Sequence, residues 1–244
     1  MFHFSDDEKQ LSCKGFKIDV IDGVGCRYVR STDSYAQGSV VQPLHKMNRY
    51  GDDKGLSDAL RRTLFLNHPS QSHTNTLLQI PWCEVSEQDI EPPCNPRCQG
   101  WNEIYDGGYY PAFHDFRRAN EVFQISDREF KDFFPGRLSY QDKHWDTAAM
   151  SADVRWAVIS LIGRRLVTTA TGYLGLAVEA VEPGDVVAFL AGCHFPVVLR
   201  SDGEMHKVVG ECYVNGLMEG EIWEEYKSGN CVLDDLRYAK PQVG

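Results

Sequence analysis

The stretch that decides the fold is residues 163–221, GRRLVTTATGYLGLAVEAVEPGDVVAFLAGCHFPVVLRSDGEMHKVVGECYVNGLMEGE, which holds the densest β-strand signal in the chain. The apolar run at residues 186–190 follows the turn signal Pro183-Gly184-Asp185 and is typical of a strand buried on both faces. A second strand is predicted over residues 196–200, because Pro196 suits the first position of a strand. A third strand is predicted over residues 208–214.

Glycines divide this stretch into short strands. Residues 201–204 have the composition of a hairpin turn, and Gly210 inside the third strand indicates a bulge or a close backbone approach. Upstream, residues 166–169 and 173–177 flank Gly172 and are predicted to pair in the same way. Five short strands with glycine corners predict a mostly antiparallel C-terminal sheet or a small open β-barrel.

Helices are predicted before this block. Ser57 is a suitable N-cap for a helix over residues 58–64; Leu56, Leu60, Thr63 and Leu64 form its inner face. Pro111 begins a helix to about residue 125, and a third spans about residues 146–162. The apolar stripes of these two are Phe113, Phe116, Ala119, Asn120 and Phe123, and Ala148, Ala152, Arg155, Trp156, Ile159 and Ile162. Ser126 or Asp127 is expected to cap a short segment ending at Pro135-Gly136.

These elements predict an α+β fold in which helices pack on the C-terminal sheet. We expect one domain over residues 1–244: a mainly helical part to residue 162, the β meander at 163–221 and a polar, loosely packed tail at 222–244. Residues 11–21 alternate well enough for an edge or first strand. The proline-rich stretch 67–100 is predicted to be a long loop, and loops of that length are usually functional or partly disordered.

Charge limits the classes of partner. The chain has 244 residues, and its formal net charge is −10 because 35 acidic residues outnumber 25 basic ones. This balance argues against a nucleic-acid partner or an anionic membrane surface, which require clustered Lys and Arg. No apolar run approaches the ~20 residues of a membrane span, and the first ten residues do not follow the plan of a signal peptide. We therefore expect a cytoplasmic protein whose eight cysteines are free thiols.

Several motifs resemble the C-terminal part of fungal heterokaryon incompatibility (HET-domain) proteins. They are Gly163-Arg164-Arg165, the Thr-x-x-Gly-Tyr-x-Gly-Leu segment ending Gly172-Tyr173-Leu174-Gly175-Leu176, Pro183-Gly184-Asp185-Val186-Val187, Gly192, Pro196, Leu199-Arg200, Gly210-Glu211-Cys212-Tyr213-Val214, Gly216, Met218, Gly220 and Glu221. Gly15-Phe16-Lys17-Ile18-Asp19 and Arg62-Thr63-Leu64 are similar as well. In that family the HET domain that signals cell death lies N-terminal to this region. Because the chain starts close to the Gly15 motif, we expect it to lack that domain and any activity attributed to it.

Common cofactor motifs are missing from the sequence. It contains no Gly-x-x-x-x-Gly-Lys, no Gly-x-Gly-x-x-Gly after a strand and no Gly-x-Ser-x-Gly, so no cofactor is predicted. Two pairs, His68-x4-His73 and Cys94-x3-Cys98, have spacings that zinc tolerates. We favour the metal-free interpretation, in which they are solvated side chains of a loop, because so loose a pattern arises easily by chance.

Three polar residues are candidates for catalysis. Asn120 and Arg155 fall inside predicted apolar stripes, where a buried amide or guanidinium needs partners; His114 lies in an aromatic-rich region and could act as a donor or base. The alternative is a structural network for the first two and a solvated face, shared with Arg117 and Arg118, for His114. The aromatic residues that could line a substrate pocket are Trp101, Tyr109, Tyr110, Phe116, Trp145, Trp156 and Tyr173; such residues are more often part of a core.

Two functional hypotheses follow. The first is a cofactor-independent cyclase or pericyclase of fungal specialised metabolism, which would hold a hydrophobic small molecule in a reactive conformer. The second is a non-enzymatic interaction or regulatory module of the incompatibility system, and in either case a homodimer is possible. A cavity with Asn120, Arg155 or His114 pointing inward would favour the first hypothesis. A tightly packed core with an exposed apolar patch would favour the second.

Overall fold

A nearly closed ring of β-strands forms the centre of the molecule. The computed structural model describes residues 3–4, 10–29, 34–36, 38–67, 76–79, 109–134, 147–229 and 231–239. Its strands are β1 (His3–Phe4), β2 (Gln10–Val24), β3 (Arg27–Val29), β4 (Ser34–Ala36), β5 (Gln124–Ile125), β6 (Arg128–Glu129), β7 (Arg164–Thr169), β8 (Leu174–Val178), β9 (Val186–Leu190), β10 (Val197–Asp202), β11 (Met205–Val214) and β12 (Asp234–Ala239). Its helices are α1 (Asp53–Leu64), α2 (Thr76–Gln79), α3 (Tyr109–Ala119), α4 (Thr147–Leu161) and α5 (Glu221–Lys227), with a 3-10 helix at Phe130–Phe133.

The ring runs β2, β7, β8, β11, β10, β9 and back to β2, with each neighbouring pair antiparallel. Strand β12 adds a second link between β2 and β11, because it pairs antiparallel with the first half of β2 and makes one parallel bridge to β11. With β1 on β2, these strands form one eight-stranded sheet. The predicted α+β class, and a mostly antiparallel sheet in the form of a small barrel, are confirmed.

Strand β2 is the strand on which the ring closes. It is 15 residues long and pairs with β7, β9 and β12. Of the two predicted alternatives, an edge strand or a first strand, the edge strand is therefore wrong. Register shifts between Lys17 and Asp19 and between Ile21 and Gly23 bend it, and bulges of this kind increase local twist. The bends let one strand serve neighbours that lie on different sides of the ring.

The strands predicted in the C-terminal block are confirmed. Strand β9 covers residues 186–190, and β10 begins directly after Pro196. The register of β10 on β11 shifts between Val198 and Leu199, opposite the segment that contains Gly210. A Cβ at Gly210 would lie 2.7 Å from the Val178 side chain, so the predicted close approach is also present.

The C-terminal tail is more ordered than its polar composition predicts. Residues 221–227 form α5, and β12 follows it into the sheet. Within β12, Leu236 is 1% exposed and packs with Cys13, Ala188, Leu190 and Leu199. Strand β12 is held by backbone hydrogen bonds and by one buried leucine, so its sequence shows little apolar periodicity. The sequence therefore predicted loose packing here.

Helix boundaries differ from the sequence prediction at both α1 and α3. Helix α1 starts at Asp53, because the Asp52 carboxylate caps it by accepting from the Gly55 N–H at 2.8 Å; Ser57 lies inside the helix. The predicted inner face of α1 is confirmed as buried. Helix α3 ends at Ala119, earlier than predicted, and the short 3-10 helix is capped by Glu129 instead of Ser126 or Asp127.

The largest core lies between the helices and the outer face of the ring. It combines Leu56, Leu60, Leu64, Phe113, Phe116, Phe123, Phe130, Phe133, Phe134, Val154, Ala157, Val158 and Leu161 with Leu166, Leu174 and Leu176 of β7 and β8. A second core, made mostly of valine and other aliphatic residues, fills the ring. No helix in the described ranges is long and apolar enough to cross a membrane.

Candidate functional site

Asn120 lies at the end of α3 and is fully buried, as the sequence predicted. Its side-chain oxygen accepts a hydrogen bond from the Cys26 N–H at 2.6 Å, and its amide nitrogen donates to the Phe116 carbonyl at 2.8 Å. The fit is tight, because a Cβ at Gly25 would lie 2.4 Å from that oxygen. The amide thus links the end of α3 to the corner between β2 and β3.

Arg155, unlike the buried Asn120, lies on an exposed surface. The stripe of α4 that the sequence assigned to the core, with Ala152, Arg155, Trp156, Ile159 and Ile162, is exposed, so its prediction as a buried face is wrong. Because α4 carries large apolar residues on both of its faces, periodicity alone could not choose between them. Arg155 and Asn120 therefore do not line one cavity, and Arg155 lies 5.7 Å from the centroid of the Tyr109 ring.

Arg117 of α3 is buried, although the sequence placed it on a solvated face beside His114, which is half-buried. Arg117 is 2% exposed. Its guanidinium carbon lies 4.3 Å from the centroid of the Phe134 ring and 5.8 Å from that of Phe113, distances typical of cation–π contacts. Its position three residues before Asn120, on the same helical face, is the signal that could have identified it.

The predicted aromatic residues occupy three kinds of position. Phe116 belongs to the large core and Tyr109 packs against it, while Trp156 is 41% exposed on α4. Tyr173 lies at one end of the barrel. Trp101, Trp145, the Tyr110 side chain and the zinc candidates His68, His73, Cys94 and Cys98 lie outside the described residues.

Tyr173 is the centre of a tyrosine cluster at the end of the ring where β8 begins and β11 ends. The Arg49 guanidinium carbon stacks over its ring at 4.3 Å, and burial raises the pKa of Tyr173 to about 12. Beside it, the Tyr50 hydroxyl donates to the Asn215 carbonyl at 3.0 Å and accepts from the Leu174 N–H at 2.8 Å. Burial also raises the pKa of Tyr50.

Tyr213 completes this cluster through its hydroxyl, which lies 3.2 Å from Asn215 Oδ1. Burial raises the pKa of Tyr213 as well. The raised pKa values of all three phenols, and the hydrogen bonds of the Tyr50 and Tyr213 hydroxyls, make them poor general bases at neutral pH. The cluster therefore holds the strand ends together, and Tyr173 itself is only 5% exposed.

An ion pair joins the motif that contains Asp185 to the motif that contains Arg200. Arg200 holds the buried Asp185 carboxylate through two hydrogen bonds, and Asp185 Oδ2 also accepts from the Glu182 N–H at 2.8 Å. This pair fixes the Pro183-Gly184-Asp185 turn onto β10. Its geometry is that of a bidentate arginine–carboxylate pair.

Arg165, the last residue of the Gly163-Arg164-Arg165 motif, has a structural role. Its buried guanidinium donates to the carbonyls of Gly25, Ser39 and Val181, at 2.8 Å for Ser39 and 3.3 Å for Val181. Burial lowers the pKa of Arg165 and raises that of the neighbouring Cys26 thiol. The motif residues described so far thus serve the architecture, and their contacts are with backbone groups or with one another.

Metal-ligating side chains do not gather in the described part of the chain, where no group of three or more His, Cys, Asp or Glu could hold an ion. The described cysteines are free thiols. The surface that stands out is the exposed stripe of α4, where Trp156, Ile159 and Ile162 are 41%, 43% and 51% exposed. Its opposite face, formed by Val154, Ala157, Val158 and Leu161, is buried in the large core.

Comparison with known proteins shows similarity to a protein family and to a fungal protein. Residues 103–232 match the family model described as the Het-6 beta-barrel domain. The chain is also similar to "Heterokaryon incompatibility protein 6, OR allele" of Neurospora crassa, with 27% identity over 122 residues. The match covers 46% of this chain and 18% of the relative, so it spans less than a fifth of that protein. No solved structure matches the chain.

Proposed function

We propose, from the premise that the chain belongs to the Het-6 β-barrel domain family, that it is a non-enzymatic protein-interaction module of a heterokaryon incompatibility system. Its binding surface is the exposed stripe of α4. The observation that carries this proposal is that α4 is apolar on both faces while only one face is buried. A helix that is apolar all round is normally covered all round, so the second face fits a partner.

The dimensions of the stripe favour a helix as the partner. From residue 152 to residue 162 it extends about 15 Å, or about three turns, at 1.5 Å per residue. A stable interface between two domains buries about 800 Å² on each side, and one helix face of this length falls short of that. An amphipathic helix laid along the stripe would contact positions spaced three and four residues apart.

Charge further defines that helix. Arg155 is the charged residue in the stripe, next to Trp156 and one turn before Ile159. A carboxylate on the partner opposite Arg155 would form a charge-assisted hydrogen bond at the edge of an apolar contact. The expected occupant is therefore an apolar helix that carries Asp or Glu near one end.

The cyclase hypothesis stays a prediction. It required polar side chains converging on an apolar cavity, whereas the Asn120 amide is bonded to backbone groups and Arg155 faces solvent. The core of phenylalanines around Asn120 is filled by ring-to-ring contacts, with centroid distances of 5.7 Å for Phe116–Phe130 and 5.2 Å for Phe130–Phe134. These contacts support a packed core, and with the exposed stripe they favour the interaction module.

Site-specific photo-crosslinking in host cells tests the proposal. A benzophenone amino acid at position 159 should capture a partner, and mass spectrometry should map the crosslink to an apolar helix bearing a carboxylate. The same residue at position 54, on the exposed start of α1, is the matched control. Arg155→Glu should reduce the crosslink at least several-fold. Identical products from both positions, or no product from position 159 in folded protein, would reject the proposal.

A further inference from the structure

A second surface, remote in sequence from the α4 stripe, is formed by residues 41–49 and is called the basic ridge here. It presents Val41, Leu44 and Met47, spaced three residues apart and 45%, 86% and 56% exposed. Lys46 and Arg49 lie between and after them, and residues 40–51 contain no Asp or Glu. The ridge is thus apolar and basic within a chain whose net charge is −10.

The ridge is held in place by hydrogen bonds. Val41 exchanges two backbone hydrogen bonds with Val24, each 2.9 Å. The Gln42 side chain donates to the Val122 carbonyl at 2.7 Å and accepts from the Gln124 N–H at 2.8 Å. A segment fixed in this way loses little freedom when it binds, so its exposed leucine and methionine are preorganised for contact.

Helix α5 is the complementary surface. Trp223 and Tyr226 are 45% and 41% exposed, and both rings pack on buried Phe16, with centroid distances of 5.2 and 5.3 Å. The helix carries three Glu and one Lys, which gives a formal charge of −2. Residues 41–49 include Lys46 and Arg49 and no Asp or Glu, which gives a formal charge of +2. The buried Asp22 carboxylate of β2 contacts this segment, because it accepts from the His45 N–H at 2.7 Å.

The two surfaces share a border. Arg49 stacks on Tyr173, and its Nη2 lies 3.4 Å from Glu225 Oε1 of α5. Arg49 and Glu225 pair within one copy, so the charges left for a second copy are +1 on the ridge, from Lys46, and −1 on α5, from Glu221, Glu224 and Lys227. The two halves are therefore a basic apolar one and an acidic aromatic one of equal and opposite charge. A two-fold axis through the Arg49–Glu225 border would place each half of one copy on the opposite half of another, which is the requirement for an isologous interface.

We infer that the chain forms a symmetric homodimer in which the basic ridge of each copy packs on α5 of the other. Leu44 and Met47 lie against Trp223 and Tyr226 of the second copy, and Lys46 lies near its glutamates. This interface is separate from the α4 stripe, which stays open for its own partner.

The net charge of −10 on each copy opposes association at long range. Salt screens this repulsion and also the attraction between the ridge and α5. Charge exchange is therefore a cleaner test than a salt series.

Sedimentation velocity over a concentration series tests the dimer. Lys46→Glu and Glu224→Lys should each weaken self-association at least tenfold, because each opposes like charges twice across the axis. An equimolar mixture of the two variants should restore it, because both contacts become attractive again. Lys54→Glu makes the same charge change on α1 and should have no effect. Leu44→Ser should weaken the dimer, and its melting temperature should equal that of the wild type at concentrations where both are monomeric.

Three results would overturn the inference. They are a wild-type chain that stays monomeric up to its solubility limit, a mixture that associates no better than either variant alone, and equal effects of Lys46→Glu and Lys54→Glu. A dimer abolished by Ile159→Glu and insensitive to Leu44→Ser would also overturn it, because the interface would then be the α4 stripe. Crosslinking from position 159 to a different protein is independent of all these outcomes.

Discussion

Arg200 grips the buried carboxylate of Asp185 with two parallel hydrogen bonds, from Nε to Oδ1 and from Nη2 to Oδ2, each 2.8 Å long. Asp185 is 3% exposed, whereas the Arg200 side chain is 35% exposed. The pair joins the turn before β9 to β10, so two strands of the ring depend on it. Removing the arginine would leave a buried carboxylate without its counter-ion.

Arg200→Ala should therefore lower the free energy of unfolding by about 2–3 kcal/mol, somewhat below the range for a fully buried pair because water reaches the vacated site. Urea denaturation measures the change. Arg200→Lys should lower the free energy of unfolding by an intermediate amount, since the lysine ammonium keeps the positive charge and cannot donate two parallel hydrogen bonds to the carboxylate. A change below about 0.5 kcal/mol for Arg200→Ala would show that the pair does not secure the turn.

Asn120→Ala should destabilise the fold by about 1–3 kcal/mol, because the Cys26 N–H would be buried without an acceptor. Arg155→Ala, on the exposed face of α4, should change stability by less than about 0.5 kcal/mol. Thermal and urea unfolding of both variants provide the comparison. Equal effects would contradict the placement of these two residues on opposite kinds of surface.

Alkaline pH should destabilise the barrel end that contains Tyr173. Its pKa is raised to about 12, above the value of about 10 for an unfolded tyrosine. The stabilisation is therefore complete below pH 10 and is lost as pH rises from about 10 towards 12, with a size of about 2–3 kcal/mol. Absorbance at 295 nm, which follows tyrosinate, should show a late phase near pH 12 that is smaller in Tyr173→Phe. An unchanged late phase in that variant would contradict the assignment.

Leu236→Ala should cost about 2–4 kcal/mol, the usual range for truncating a buried leucine, because β12 is a packed part of the sheet. Val232→Ala provides the contrast, since that side chain is 74% exposed, and it should leave stability unchanged. Urea denaturation measures both. A negligible effect of Leu236→Ala would mean that the tail packs as loosely as its composition predicts.

The sequence predicted the elements of the C-terminal block because each is local. A turn signal, a five-residue apolar run and a glycine at a bulge identify β9, β10 and β11 without reference to distant residues. Strand β2 was harder, because its central position comes from pairing with β7 and β9 more than 140 residues later. No local pattern distinguishes such a strand from an edge strand.

The face of α4 could not be predicted for a different reason. Helix periodicity indicates a buried face only where the opposite face is polar, and α4 carries Trp156 and Ile159 on one side and Val154 and Val158 on the other. The few polar residues were misleading as well, because Asp153 and Ser160 are buried and Arg155 is exposed. For Asn120, by contrast, a lone amide within a phenylalanine stripe correctly predicted burial.

The most direct test of the proposed interaction module compares three host strains: wild type, a deletion of the gene, and a strain that carries Ile159→Glu and Ile162→Glu. Both substitutions lie on the exposed stripe, so the variant should fold normally and accumulate to the wild-type level. The account predicts that the variant and the deletion alter fusion compatibility in the same way, with unchanged metabolite profiles. Accumulation of an uncyclised precursor in the deletion strain, together with its conversion by the purified protein without added cofactor, would contradict the account.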